Sequence, residues 1–147
     1  MLNDFLNSVK GELANQLAGK TDLQPENAKN ASGVVAETIK NGLAEKAKQG
    51  QFDDILSLFG KGGASTGFAN NLINNSVGNL AAKVGLPKEV AAKVAGFAVP
   101  FIINKLGSFA SEKGKDNKEG VQDLLGDLIK GSVKDKLLGG LEKKFGF

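Results

Sequence analysis

The sequence predicts an all-α protein, a compact helical bundle made of two tandem three-helix repeats and closed by C-terminal helices. Three observations carry this. Strand formers are scarce, with no Tyr or Trp and little Thr among 147 residues. Apolar residues recur at three- and four-residue spacing through most of the chain. The chain also aligns with itself at a shift of 63 positions, which pairs Phe5 with Phe68, Leu17 with Leu80, Lys20 with Lys83, Gly33 with Gly96, Ile39 with Ile102 and Leu43 with Leu106.

The alignment divides the chain into residues 1–62, a first helical repeat, and residues 63–147, a second repeat with C-terminal helices, the two packing as one globular unit. In the first repeat Phe5, Leu6, Val9, Leu13 and Leu17 share one helical stripe. A turn is expected around Asp22, and Pro25 stands near the first position of a second helix, where a missing N–H costs nothing. That helix carries Ala28, Ala31, Val35, Ile39 and Leu43 inward, and a short third helix runs from Phe52 to Phe59, ended by Gly60. The segment "GKGGASTG", Gly60 to Gly67, reads as a flexible linker, because it lacks the order of a phosphate-binding loop and follows no strand. The second repeat then starts at about Thr66, with Ser65 or Thr66 as its N-cap.

Its second helix, expected from about Pro87 to Phe109, contains the uncharged stretch "VAGFAVPFII", Val94 to Ile103. Ten residues cannot span a hydrocarbon core, which needs about 20 in a helix, so no transmembrane segment is expected there. Pro100 falls with Lys93, Gly96 and Asn104 on the face away from the core, where it removes one hydrogen bond and bends the helix. Lys29, Ala36 and Lys40 of the first repeat correspond to Ala92, Val99 and Ile103 of the second. A flank wetted in one copy is therefore apolar in the other. Either the tail after Gly120 covers it, or Val99 and Ile103 form a partner or homodimer face. In the tail two apolar stripes lie out of phase, so two helices are expected with a break at Gly131-Ser132 and a capping box over Ser132–Asp135.

Composition excludes several chemistries. The chain has no Cys and no His, which removes disulfides, thiolate metal sites and the commonest acid–base group near neutral pH. Its first residues show no basic and apolar leader pattern, and the expected location is the cytoplasm. Residues 1–62 hold seven lysines and eight acids, net −1, whereas residues 80–147 hold twelve lysines and eight acids, net +4. Every basic residue is Lys, and the absence of Arg weighs against sequence-specific DNA reading. Lys130, Lys134, Lys136, Lys143 and Lys144 form a basic cluster that reads as a solvated face or as an anion-binding surface for nucleic acid or acidic lipid. The adjacent Asp53-Asp54 is expected to have no basic or catalytic companion nearby and reads as helix N-terminal acids. "NNLINN", Asn70 to Asn75, reads as a solvated amide face. No constellation for catalysis, no cofactor site and no small-molecule substrate site emerges.

The span Val77 to Ser108 resembles the YidB-like family of small bacterial proteins. The resemblance rests on Val77, Leu80, Lys83, Gly85 and Leu86, then Ala91, Ala92, Pro100, Ile102, Ile103 and Leu106, with the glycine-rich "ILSLFGKGG" upstream. It implies a homeodomain-like helical arrangement, a bacterial origin and no established activity. The first repeat departs from the pattern, with Glu37 at the proline position. The expected function is a non-enzymatic protein-interaction or structural module that associates with a protein partner or with itself. The alternative is a nucleic-acid-associated protein that uses its lysine-rich second half.

Overall fold

In the computed structural model, residues 2–21, 23–60, 62–112, 114, 120, 121 and 123–126 are described, and among them there are helices and no strand. Among the described residues α1 (Leu2–Lys20), α2 (Pro25–Lys48), α3 (Phe52–Phe59), α4 (Gly67–Lys83) and α5 (Lys88–Glu112) follow in order, with a 3₁₀ turn at Gly63–Ser65 between α3 and α4, and residues 120, 121 and 123–126 are helical as well. The all-α reading holds. Of the two helices expected in the tail, the first is described at residues 120, 121 and 123–126, which are helical with Val121, Leu124 and Leu125 buried, whereas Asp22, the break at Gly131-Ser132 and the second tail helix lie outside the described residues.

Local chemistry sets the helix ends. Pro25 opens α2. Thr66 is the N-cap of α4, its Oγ1 accepting from the Ala69 N–H at 3.1 Å while donating to the Gly63 carbonyl at 2.8 Å. After α4, Gly85 takes φ +79°, and the Leu86 N–H reaches back to the Leu80 carbonyl at 3.4 Å. This turn needs a residue in the left-handed region and tucks Leu86 under the helix end.

The four long helices close a ring: α1 packs on α2, α2 on α4, α4 on α5, and α5 on α1, while α2 and α5 also meet across the middle. Exchanging α1 with α4 and α2 with α5 returns the same set of neighbours. The starts of α2 and α5, Pro25 and Lys88, obey the same 63-residue shift. Burial obeys it too: Ala28 and Ala91, Ala31 and Val94, Val35 and Ala98, Ile39 and Ile102, and Leu43 and Leu106 all have 0% exposure. Buried residues from α1 to α5, together with Val121, Leu124 and Leu125, form one continuous cluster. Removing that apolar surface from water is the main force holding the ring together.

Three expectations need correction. The glycine-rich segment is no loose tether. Its 3₁₀ turn packs on α5, and Gly63 is buried where a Cβ would run into the Leu58 carbonyl. Val99 and Ile103, offered as a partner face, are 0% and 1% exposed within the single chain. The end of α3 lies beside this flank, with Phe59 and Gly60 sharing a small cleft with Ile103 and Gly107. Asp54, finally, does have a basic companion: Lys46 lies 2.9 Å away and also donates to the Gln51 side chain at 2.8 Å. The loop after α2 brings the start of α3 back to this lysine.

Pro100 stands inside α5, half-buried, between exposed Gly96 and Asn104. By length and composition alone α5 could cross a membrane, which the ten-residue stretch within it could not. In this fold nine of its residues are buried, and it packs on α1, α2, α3 and α4.

Candidate functional site

Two grooves on the ring carry concentrations of polar side chains. The first runs between α1 and α2, with a volume of about 1160 Å³. Gly11 and Ala14 of α1 and Gly33 of α2 form its floor, and Lys10, Lys29 and Lys83 stand on its walls. None of the three lysines has an ion pair or hydrogen bond among the described residues. Glu37 is the one acid lining it among those residues. A Cβ added at Gly11 or Gly33 would meet nothing within 4 Å. Each glycine therefore costs its helix roughly 1 kcal/mol relative to alanine without serving the packing of this chain.

The second groove lies between α2 and α4 and holds about 610 Å³. Its floor is the close approach of Gly42 to the Leu72 side chain, where an added Cβ would come within 2.5 Å of Leu72 Cδ2. Carboxamides line both walls. Asn79 Nδ2 donates to Thr38 Oγ1 at 2.9 Å, and that hydroxyl donates in turn to the Val34 carbonyl at 2.8 Å, which ties α4 to α2. Gln49 Nε2 donates to Glu45 Oε1 at 3.2 Å. Asn41, Asn71, Asn74 and Asn75 line the groove and make no hydrogen bond among the described residues. Both charges on the rim have companions: Glu45 accepts from Gln49, and Lys46, besides its contacts to Asp54 and Gln51, lies 5.3 Å over the Phe68 ring. The Asn70–Asn75 amides are exposed, as the sequence suggests, but Asn71, Asn74 and Asn75 share one concave surface with α2. Spacing along α4 alone could not show that, because the opposing wall comes from residues about 30 positions away.

The face related by the 63-residue shift, between α5 and α1, is built differently. Phe5 and Phe109 stack there with ring centroids 4.4 Å apart, and Lys105 reaches Glu12 at 3.4 Å. Lys46 stands at the position of Phe109, Gly42 at that of Lys105, and Asn75 at that of Glu12. Lys20 and Lys105 lie over the Phe97 and Phe101 rings at 5.2 and 5.6 Å, shielding two half-buried aromatics.

Of the residues singled out from sequence, Val99 and Ile103 belong to the core, while Lys130, Lys134, Lys136, Lys143 and Lys144 lie outside the described residues. Among the described residues no group of three or more Asp or Glu is arranged to hold a metal ion. Compared with protein-family models, curated proteins and solved structures, the chain finds no match.

Proposed function

We propose that the protein is a non-enzymatic interaction module that receives an acidic segment of a protein partner in the groove between α1 and α2. The observation behind this reading is the convergence of Lys10, Lys29 and Lys83, all without partners among the described residues, on a groove whose floor is two glycines and an alanine. Missing Cβ atoms let a partner backbone approach closely, and three ammonium groups against one carboxylate favour a negatively charged guest. Kinship with the YidB-like family, two tandem copies of one helical unit and a cytoplasmic setting belong to the same proposal and add no activity to it.

The second reading, a nucleic-acid-associated protein, rests on the net charge of +4 over residues 80–147. Fluorescence anisotropy with labelled poly-L-glutamate and with a labelled DNA duplex separates the two. The peptide should bind at low salt, and a Lys10→Glu/Lys29→Glu variant should weaken it about tenfold or more. Tight duplex binding that survives those two substitutions, with none for the peptide, would transfer the function to the second reading.

A further inference from the structure

We propose that the groove between α2 and α4 is a binding site for a neutral, polyhydroxylated chain, an oligosaccharide. This goes beyond the acidic-partner reading and concerns a different face. Asn41 on one wall and Asn71, Asn74 and Asn75 on the other have no hydrogen-bond partners among the described residues, and all four are exposed. Each carboxamide offers two donors and an acceptor on one rotatable group, which matches a sugar hydroxyl that both donates and accepts.

The asparagines are not explained by the helix. Inside a helix Asn costs roughly 0.5 kcal/mol relative to alanine, since its side chain competes for backbone hydrogen bonds. Three such residues within five positions of α4 burden the fold and return no contact to it. The related face between α5 and α1 provides an internal control. There the same helical geometry is filled by the chain's own Phe5–Phe109 stack and Glu12–Lys105 pair. Gly42 replaces that lysine in the open groove, so the space is left for something else.

Chemistry narrows the guest. The two charged side chains at the rim are already engaged, which gives no handle for a phosphate or an ionised peptide. An amphipathic helix would need an apolar trough, but Phe68 and Leu72 on the floor are only 9% and 1% exposed. A peptide bound by strand addition would need an open sheet edge, and the described residues contain no strand. Asn71 and Asn75 sit four residues apart on α4, and Asn41 and Glu45 likewise on α2. Hydrogen-bonding groups therefore repeat about every 6 Å along both walls, a spacing suited to successive sugar rings.

The test is a ¹H–¹⁵N titration of the full chain, following side-chain carboxamide signals, with maltohexaose, cellohexaose and chitohexaose at millimolar concentration. At least one glycan should shift the amides of Asn41, Asn71 and Asn75. An Asn71→Ala/Asn75→Ala variant, whose α4 gains helix propensity and stays folded, should bind about tenfold more weakly or worse. No shift with any of the three glycans would overturn the proposal, as would shifts that persist in the double variant. So would selective shifts with an uncharged Gly-Ser peptide in place of the glycans. None of these results bears on poly-L-glutamate binding at Lys10 and Lys29, so the two proposals stand or fall separately.

Discussion

Two faces of one ring, α1 against α5 and α4 against α2, carry the same backbone scaffold with opposite finishing. Between α5 and α1, Phe109 lies on Phe5 and Lys105 reaches Glu12. Between α2 and α4, Lys46 replaces the ring, Gly42 the lysine and Asn75 the glutamate, and about 610 Å³ stays open. Most of the buried positions that hold the ring together match across the 63-residue shift, Leu13/Ser76 and Ser32/Ala95 excepted, whereas the residues on its outside diverge. Packing restricts the first set, since buried sites tolerate little change in volume. The second set is free to differ, and that is where the binding proposals are placed.

The comparison is tested hardest in the core. Leu13 and Ser76 occupy equivalent positions, and both are fully buried. Leu13 fills its site, while the Ser76 hydroxyl has no hydrogen-bond partner among the described residues. Ser32, also buried, donates to the Ala28 carbonyl at 2.8 Å and differs in this respect. Leu13→Ala should cost about 3 kcal/mol, and Ser76→Ala should raise stability by about 1 kcal/mol by removing an unsatisfied group. Ser32→Ala should change little. Urea midpoints of the three variants decide this, and a destabilising Ser76→Ala would mean that the hydroxyl has a partner in solution.

A smaller effect is expected where α3 meets α5. Gly107 corresponds to Ala44, and a Cβ at Gly107 would stand 2.7 Å from the Phe59 oxygen. Both groups belong to helix backbones, so neither can swing aside. Gly107→Ala should cost roughly 2 kcal/mol through displacement of α3, although alanine is the better helix former. Gly33→Ala, which meets open space, should instead stabilise by about 1 kcal/mol. If both substitutions stabilise equally, α3 is not seated on α5 as described.

Much of the fold could be read from the sequence, for local reasons. Pro25, Thr66 and Gly60 mark helix boundaries through chemistry that acts within a few residues, and the repeat made the core positions of α5 legible from those of α2. What sequence reading missed depends on separation along the chain. Lys46 and Asp54 meet only because the Gly50 turn folds α3 back. The glycine-rich segment looked like a tether because composition cannot show that Gly63 fits under Leu58. Val99 and Ile103 were legible as a covered flank, but the end of α3 beside Ile103 was not. The amides of α4 were visible as a polar face, yet their opposing wall belongs to another helix.

The smallest effect separates the two devices that close the α1/α5 face. Lys105 and Glu12 are 47% and 55% exposed, so water and salt screen their attraction and side-chain entropy opposes it. Removing the pair with Glu12→Gln should cost less than about 0.5 kcal/mol, and the difference should vanish in molar salt. The ring stack is apolar and insensitive to salt, and Phe5→Leu should remove about 1 kcal/mol of aromatic pairing at any ionic strength. Thermal melts at low and high salt distinguish these behaviours. If Glu12→Gln proved the costlier change, an exposed ion pair rather than a packed aromatic pair would close this face, and the open groove would then owe its shape to Gly42 replacing Lys105 more than to Lys46 replacing Phe109.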